Sequence, residues 1–347
     1  MQKILPIATP PIIGYLHHAY PLSILANWTT YMPWFHSNYI QLYCPQNFQE
    51  MRHQRIKKFN FYRRPDQRLT FSPYLKVQLL DRDLIFNSSE DIVPFIIACI
   101  DNGYYVQPTI DEYFLPDSPA YKKSHFIHET LIYGYNNQAF TGIGFNKNGN
   151  YATYHIRSSE LAQAIGHADL TDHYDPYGVR LFKYAPHAKY DFDINLVREQ
   201  LADFLYSRNT SQRFRMLANP SDDAYGLAIY TCLKRYIESF LFSSFDILPT
   251  HILWEHKKCM VDRLKYMEAQ GYLKSKYGFS VQYDEIARKT GILRMLLLKF
   301  KITRRPDLIH RVLSHLDTIA EMEKRLLQDL LKSIEIGCGV AHFDRQI

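Results

Sequence analysis

The chain lacks any apolar run approaching the ~18 to 20 residues of a membrane-spanning helix. Its opening stretch, MQKILPIATPPII, is interrupted by prolines where a secretory leader needs an unbroken apolar helix. Both absences point to a soluble, non-secreted, cytoplasmic protein. Cysteine is scarce: Cys44, Cys99, Cys232, Cys259 and Cys338 are odd in number, scattered, and form no C-x-x-C pair. That pattern argues against a disulfide framework or a zinc site and for reduced thiols, so no metal site is expected. Net charge is also small. At +6 over 347 residues it does not by itself require nucleic acid as a partner. No internal repeat or low-complexity tract stands out.

What is present divides the chain in two. The 46% hydrophobic content suffices for one large domain or two ordinary ones with real cores. Tyrosine is frequent, 27 residues, mostly in the first two thirds, which hints at a wide groove or interface. Residues 1–165 mix short strand-like pieces with a helix expected from about Pro21 to Thr30 and another from Glu90 to Asn102, ended by Gly103. From Tyr104 the runs YYVQPTI, HETLIYGY, AFTGIGFN and YATYHI read as a β-meander, giving an α+β domain with an antiparallel sheet. Residues 166–193, rich in turn residues and poor in periodicity, read as a linker. Residues 194–335 then read as a mainly helical domain, with 336–347 as a tail. Apolar stripes through Ile194, Val197, Leu201 and Leu205, through Leu253, Met260, Leu264 and Met267, and from Ile309 to Leu330 predict amphipathic helices of a bundle.

The segment SHFIHETLIYGYN, residues 124–136, carries the most chemistry. His128 opens a strand, and a strand holds a histidine more rigidly than a loop does, as a general base requires. Eighteen positions later Asn146 closes the next strand, in FTGIGFNKNGNY. Adjacent antiparallel strands can set such an amide against the imidazole and fix its tautomer. The bland alternative is a partly buried histidine bonded to the backbone.

DEYFLPDSPAYKKSHFIHETLIYGYN followed by FNKNGNY resembles the histidine half of the papain-like domain in the butirosin-biosynthesis acyltransferase family, matching at Asp111, Tyr113, His128, Gly134, Tyr135 and Asn146. YLHHAYPLSILANW, residues 15–28, resembles the segment where that family starts a helix with its cysteine, a position that lowers a thiol pKa. Here His17, His18 and Tyr20 stand instead of a thiol. Cys44, followed by Pro45 rather than a helix start, reads as structural. The resemblance implies a papain-like fold and acyl transfer or amide formation on a carrier-protein thioester, in bacterial nonribosomal-peptide, polyketide or antibiotic biosynthesis. The implied partners are an acyl or peptidyl carrier protein and a small amine or peptide. No cofactor of the chain's own is expected beyond the carrier's phosphopantetheine arm. His128, Asn146, His17 and His18 are the catalytic candidates, and Tyr20, Asp111 and Tyr113 the substrate contacts. A nucleophile-less relative that binds a carrier-bound or peptidyl intermediate without breaking bonds is the main rival.

Two further stretches carry alternatives. RHQRIKKFNFYRR, residues 52–64, has six Lys or Arg and no acid, so Lys57, Arg63 and Arg64 are candidates for docking an acidic carrier, against the plainer reading of a solvated face. YDEIARKTGILRMLLLKF, residues 283–300, has the spacing of a helix-turn-helix regulator. Its second half is apolar nearly all round, which reads as buried and makes nucleic acid an improbable partner.

Overall fold

The four β-rich runs between Tyr104 and Ile156 form strands, as their β-branched and aromatic content predicts. The computed structural model describes residues 2–47, 59–62, 72–86, 92–171, 177–239 and 246–341, with 335–341 described by backbone alone. In chain order the elements begin β1 (Lys3–Ile4), α1 (Leu16–Leu25), α2 (Met32–Ser37), β2 (Leu42–Pro45), β3 (Asn60–Phe61), β4 (Leu75–Asp81), α3 (Arg82–Ile85) and α4 (Ile92–Asp101). They continue β5 (Tyr105–Asp111), β6 (Ile127–Glu129), β7 (Leu131–Tyr135), β8 (Ala139–Phe145), β9 (Tyr151–Arg157), α5 (Ser158–Gly166) and β10 (Gly178–Tyr184). The rest is α6 (Ile194–Leu205), β11 (Asp223–Tyr225), α7 (Ile229–Glu238), α8 (Leu248–Ala269), α9 (Phe279–Thr303) and α10 (Pro306–Ala341). The fold is mixed α+β, with an antiparallel sheet and a helical C-terminal region.

Two units emerge, Met1–Tyr31 with Gln67–Tyr190, and Met32–Asp66 with Asp191–Ile347. This corrects the expected division at two places. The supposed linker 166–193 contains β10, which lies between β4 and β5 in the sheet, pairing Val179 with Pro108 and Leu80. Arg180 and Lys183 interrupt its apolar alternation, which hid the strand. Residues 32–66 join the second unit, because β2 pairs with β11, far along the chain, and no local pattern records so distant a partner.

The first unit is built on an eight-stranded antiparallel sheet, ordered β4-β10-β5-β7-β8-β9, with β1 on β7 and β6 on β5. The expected strand HETLIYGY is split at Thr130 into β6 and β7, both alongside β5 through Ile110↔His128 and Val106↔Ile132. Helix α1 starts five residues earlier than its sequence suggests and keeps Pro21 in its interior. All of its residues except His17 are buried. Helix α4 ends as expected, with Gly103 at φ +78, a left-handed turn that glycine takes without steric cost.

In the second unit a three-stranded sheet, β11-β2-β3, accompanies α2 and the helices α6 to α10. Residues 283–300 lie within one continuous helix, α9, so the helix-turn-helix reading is corrected. Gly291 is a packing glycine: a Cβ there would meet the Trp254 indole nitrogen at 3.2 Å. The core of this unit holds charge. Lys257, fully buried, donates to both Glu323 oxygens (2.6 and 2.8 Å) and to His256 Nδ1 (3.2 Å), while His256 Nε2 donates to the Ile40 carbonyl (2.7 Å). Tyr230 (2.6 Å) and Tyr283 donate the remaining bonds to Glu323. Arg263, also buried, donates to the carbonyls of His36 (2.7 Å), Asn38 and Tyr39 (3.2 Å), holding the turn in which Tyr39 adopts φ 55.

Candidate active site

The end of β5 supplies two adjacent carboxylates, and each receives a histidine from the segment that returns as β6. Asp111 caps the following 3-10 turn, accepting the backbone N–H groups of Tyr113 (3.0 Å) and Phe126 (3.1 Å), and its second oxygen lies 2.5 Å from His125 Nδ1. Glu112 Oε1 lies 3.1 Å from His128 Nδ1, and Glu112 Oε2 accepts the Ser118 hydroxyl. Two carboxylate–imidazole pairs therefore stand side by side. The His125 ring stacks on Tyr113 with centroids 4.5 Å apart, and Phe126 covers His128 at 5.3 Å.

His128 is the better placed of the two for chemistry. Its side chain is 32% exposed, between Glu112 at 14% and Glu129 at 5%, with Nε2 at 3.9 Å from Glu129 Oε2, beyond hydrogen-bond reach. With Nδ1 directed at Glu112, Nε2 is the atom left to face a reactant. Burial works against the imidazolium, but the Glu112 hydrogen bond and the charges of Glu129 and Glu112 outweigh it, so His128 titrates above the ordinary histidine value. For Asp111, burial alone would raise the carboxyl; the bonds from His125 and the two backbone N–H groups pull it below the ordinary range instead.

Helix α1 fixes the strand that bears His128. Tyr20 donates its hydroxyl to the Glu129 carbonyl (3.0 Å), and burial pushes its phenol well above the usual value. The glycines of β8 make this packing fit: a Cβ at Gly144 would come 3.3 Å from the Tyr20 oxygen, and one at Gly142 would come 2.8 Å from the Tyr154 ring. Tyr154 shares a hydrogen bond with Thr130 at the break between β6 and β7.

Several expectations change on this geometry. Asn146 does not orient His128: its Oδ1 accepts the backbone N–H groups of Asn148 (3.0 Å) and Asn150 (3.1 Å), closing the β8–β9 turn, and Glu112 takes the orienting role. Asp111, 1% exposed, and Tyr20, wholly buried, position backbone rather than touch substrate. Tyr113 supports His125. His17 and His18 pack ring to ring at 4.2 Å, with Tyr15 stacked on His17 at 5.2 Å. Lys57, Arg63 and Arg64 lie outside the described residues. Sequence reasoning missed Glu112, Ser118, His125 and Glu129. The adjacent pair Asp111-Glu112 and the spacing of His125 to His128 were the available signal, but the search ran downstream of His128 and the partner lay 16 residues upstream.

The thiols stand elsewhere. Cys99 is the cysteine of the first unit, and burial raises it to about 11. Cys44 is buried in β2, where its hydrogen bond with Cys232 and its burial push the thiol up, in keeping with a structural role. The described residues hold no group of three or more His, Cys, Asp or Glu able to take a metal ion, and no described helix is long and apolar enough to cross a membrane. The Lys257–Glu323 cluster offers a reactant nothing, since both side chains are 0% exposed and their bonds are filled within the core. Compared with known proteins, the chain matches no family model and no curated sequence.

Proposed function

We propose that the first unit is a papain-like acyl-transfer domain that forms an amide from a carrier-bound thioester and a small amine or peptide, with His128 as the base. The observation that carries this reading is the Glu112–His128 pair, with Nε2 turned away from its orienting carboxylate. In the reaction the amine nitrogen attacks the thioester carbonyl and a C–N bond forms. The proton leaving nitrogen passes to His128 Nε2, the C–S bond breaks, and the departing thiolate takes that proton. No acyl-enzyme is needed, because proximity and a base suffice for direct transfer. The carboxylates of Glu112 and Glu129 beside the ring suit an acceptor that binds as an ammonium ion and releases one proton to solvent before the neutral amine attacks.

The test uses the full chain with N-acetylcysteamine thioesters as donors and a panel of amines. His128→Gln should lower turnover by roughly 10²- to 10⁴-fold, and the wild-type rate should rise as pH climbs through the elevated histidine value. Alkylating the thiols should leave turnover intact. A thioester trapped on Cys44 or Cys99, abolished by serine at that position, would replace the direct mechanism with a covalent one. Saturable binding of the donor without turnover would favour the rival reading, a relative that holds a carrier-bound intermediate without breaking bonds.

A further inference from the structure

Helix α9 buries one face in its unit through Tyr283, Ile286, Ala287, Thr290, Leu293, Leu297 and Phe300. Its outer face is not uniformly polar, as a solvated helix face would be: exposed apolar side chains are interspersed with Glu285, Arg288 and Lys299. The exposed positions Val281, Glu285, Arg288, Ile292, Met295, Lys299 and Ile302 follow one another at alternating steps of four and three. That is the 3.5-residue period of a seam between two helices, extending over about 32 Å at ~1.5 Å per residue. Val281 is 70% exposed, Ile292 50%, Met295 58% and Ile302 84%. A run of apolar residues around Arg294 that was expected to be buried thus turns Ile292 and Met295 outward, while Leu293 and Leu297 stay inside.

The order of residues along the seam identifies the occupant. Read from both ends toward Ile292, its charged and apolar ends are self-complementary: Val281 mirrors Ile302, Glu285 mirrors Lys299 and Ile292 mirrors itself, while Arg288 falls opposite Met295. A second helix of the same sequence laid antiparallel would set two Glu285–Lys299 pairs across the seam, apolar contacts at both ends, and Ile292 on Ile292 at the two-fold axis. A parallel copy would set Glu285 against Glu285 and Lys299 against Lys299. Within the chain Arg288 pairs with Asp284 (3.1 Å) and Glu285 with Lys289 (3.5 Å), surface contacts at i, i+4 that flank the seam and are weak enough to rearrange.

We infer that this face of α9 is a homodimer interface, in which two copies of the chain pair their α9 helices antiparallel about Ile292. Such an isologous contact needs no second surface, since each copy supplies both halves. A single helix pair falls in the small interface class, below ~1,200 Å², so the dimer is reversible.

Sedimentation velocity of the full chain over roughly 1 to 200 µM should show a concentration-dependent monomer–dimer equilibrium, as fits an interface of this size. Glu285→Lys or Lys299→Glu alone should weaken the dimer roughly tenfold, since each change turns both symmetric pairs repulsive. The two changes combined should restore it. Ile292→Cys should give an oxidised covalent dimer, whereas Val281→Cys should crosslink only when mixed with Ile302→Cys. All these side chains are exposed, so each variant should fold, which circular dichroism melts would check. A monomer at every concentration overturns the inference. So does a dimer indifferent to the single reversals, or a double reversal that fails to restore association, which would exclude the antiparallel register.

Discussion

His128 with Glu112 in the first unit and Lys257 with Glu323 in the second are both pairs of a basic group with a carboxylate, and they differ in what remains unused. Lys257 spends its three protons on Glu323 and His256, and Glu323 also accepts two tyrosine hydroxyls, all out of contact with solvent. His128 spends one nitrogen on Glu112 and keeps the other 3.9 Å from Glu129, with about a third of its side chain exposed. A saturated network specifies one packing of a core, and an unsaturated one leaves a place for a reactant. Burial of a charged group is therefore a poor guide to function unless its bonds are accounted for one by one.

The largest effect should come from breaking the saturated cluster. Lys257→Met leaves Glu323 buried without its cation and should cost about 3–5 kcal/mol in denaturant unfolding. His128→Gln, at a site about a third exposed, should cost under ~1 kcal/mol in the same measurement. Equal losses would erase the distinction between the two clusters.

Acidification should move the two units in opposite directions. His128 titrates above its unfolded value of about 6.5, so its contribution is complete below that pH and is lost as pH rises through the folded value. His36 is lowered to about 3 by burial and by Arg263, and His256 is lowered by burial and by Lys257. Their contributions are complete above about pH 6.5 and are lost as pH falls toward the folded values, a loss of about 2 kcal/mol at pH 5 for His36. Hydrogen exchange followed by peptide should show protection of β5 and β6 growing from pH 8 to 6.5. Protection of α2 and α8 should fall from pH 6.5 to 5. Movement of both units in the same direction would break the comparison.

Two smaller changes sharpen it. Glu112→Gln keeps the shape and an acceptor for Ser118 but removes the charge, so the NMR titration of His128 should shift downward; an unchanged midpoint would mean that Glu112 is not its partner. Asn146→Ala should leave that titration where it is and cost only ~0.5–1.5 kcal/mol, the worth of its turn hydrogen bonds. A shifted titration would return Asn146 to the orienting role.

Local patterns made the meander, the end of α4 and the helices α6, α8 and α10 legible in the sequence, because alternation, a left-handed glycine and three- and four-residue steps act over a few residues. Strand β10 was illegible because its cations fall within a buried pattern, and the 32–66 segment because its partner strand β11 is distant in the chain. At the site, His128 on a strand was readable. Its carboxylate was not, since the turn at residues 112–114 that delivers Glu112 takes its direction from Asp111 capping, a contact with no periodic signature. In α9 the apolar run was read correctly as helix-forming and incorrectly as wholly buried, because composition does not say which face turns inward.

The interleaving of the two units has a consequence for biosynthesis. A ribosome releases residues 32–47, with Trp34, Phe35, Tyr39 and Leu42 destined for burial, before it has made any of the helices that bury them. At ~5–20 residues per second that interval lasts roughly 7 to 30 seconds. Throughout it β2 has no β11 to pair with, and the first unit must close its sheet around an unfinished excursion of the chain. The same threading governs dissection of the gene. A fragment ending at Tyr190 carries β2 without β11, and one beginning at Asp191 carries Arg263 without the carbonyls of His36, Asn38 and Tyr39 that it serves. Neither unit is a cassette that a single cut releases.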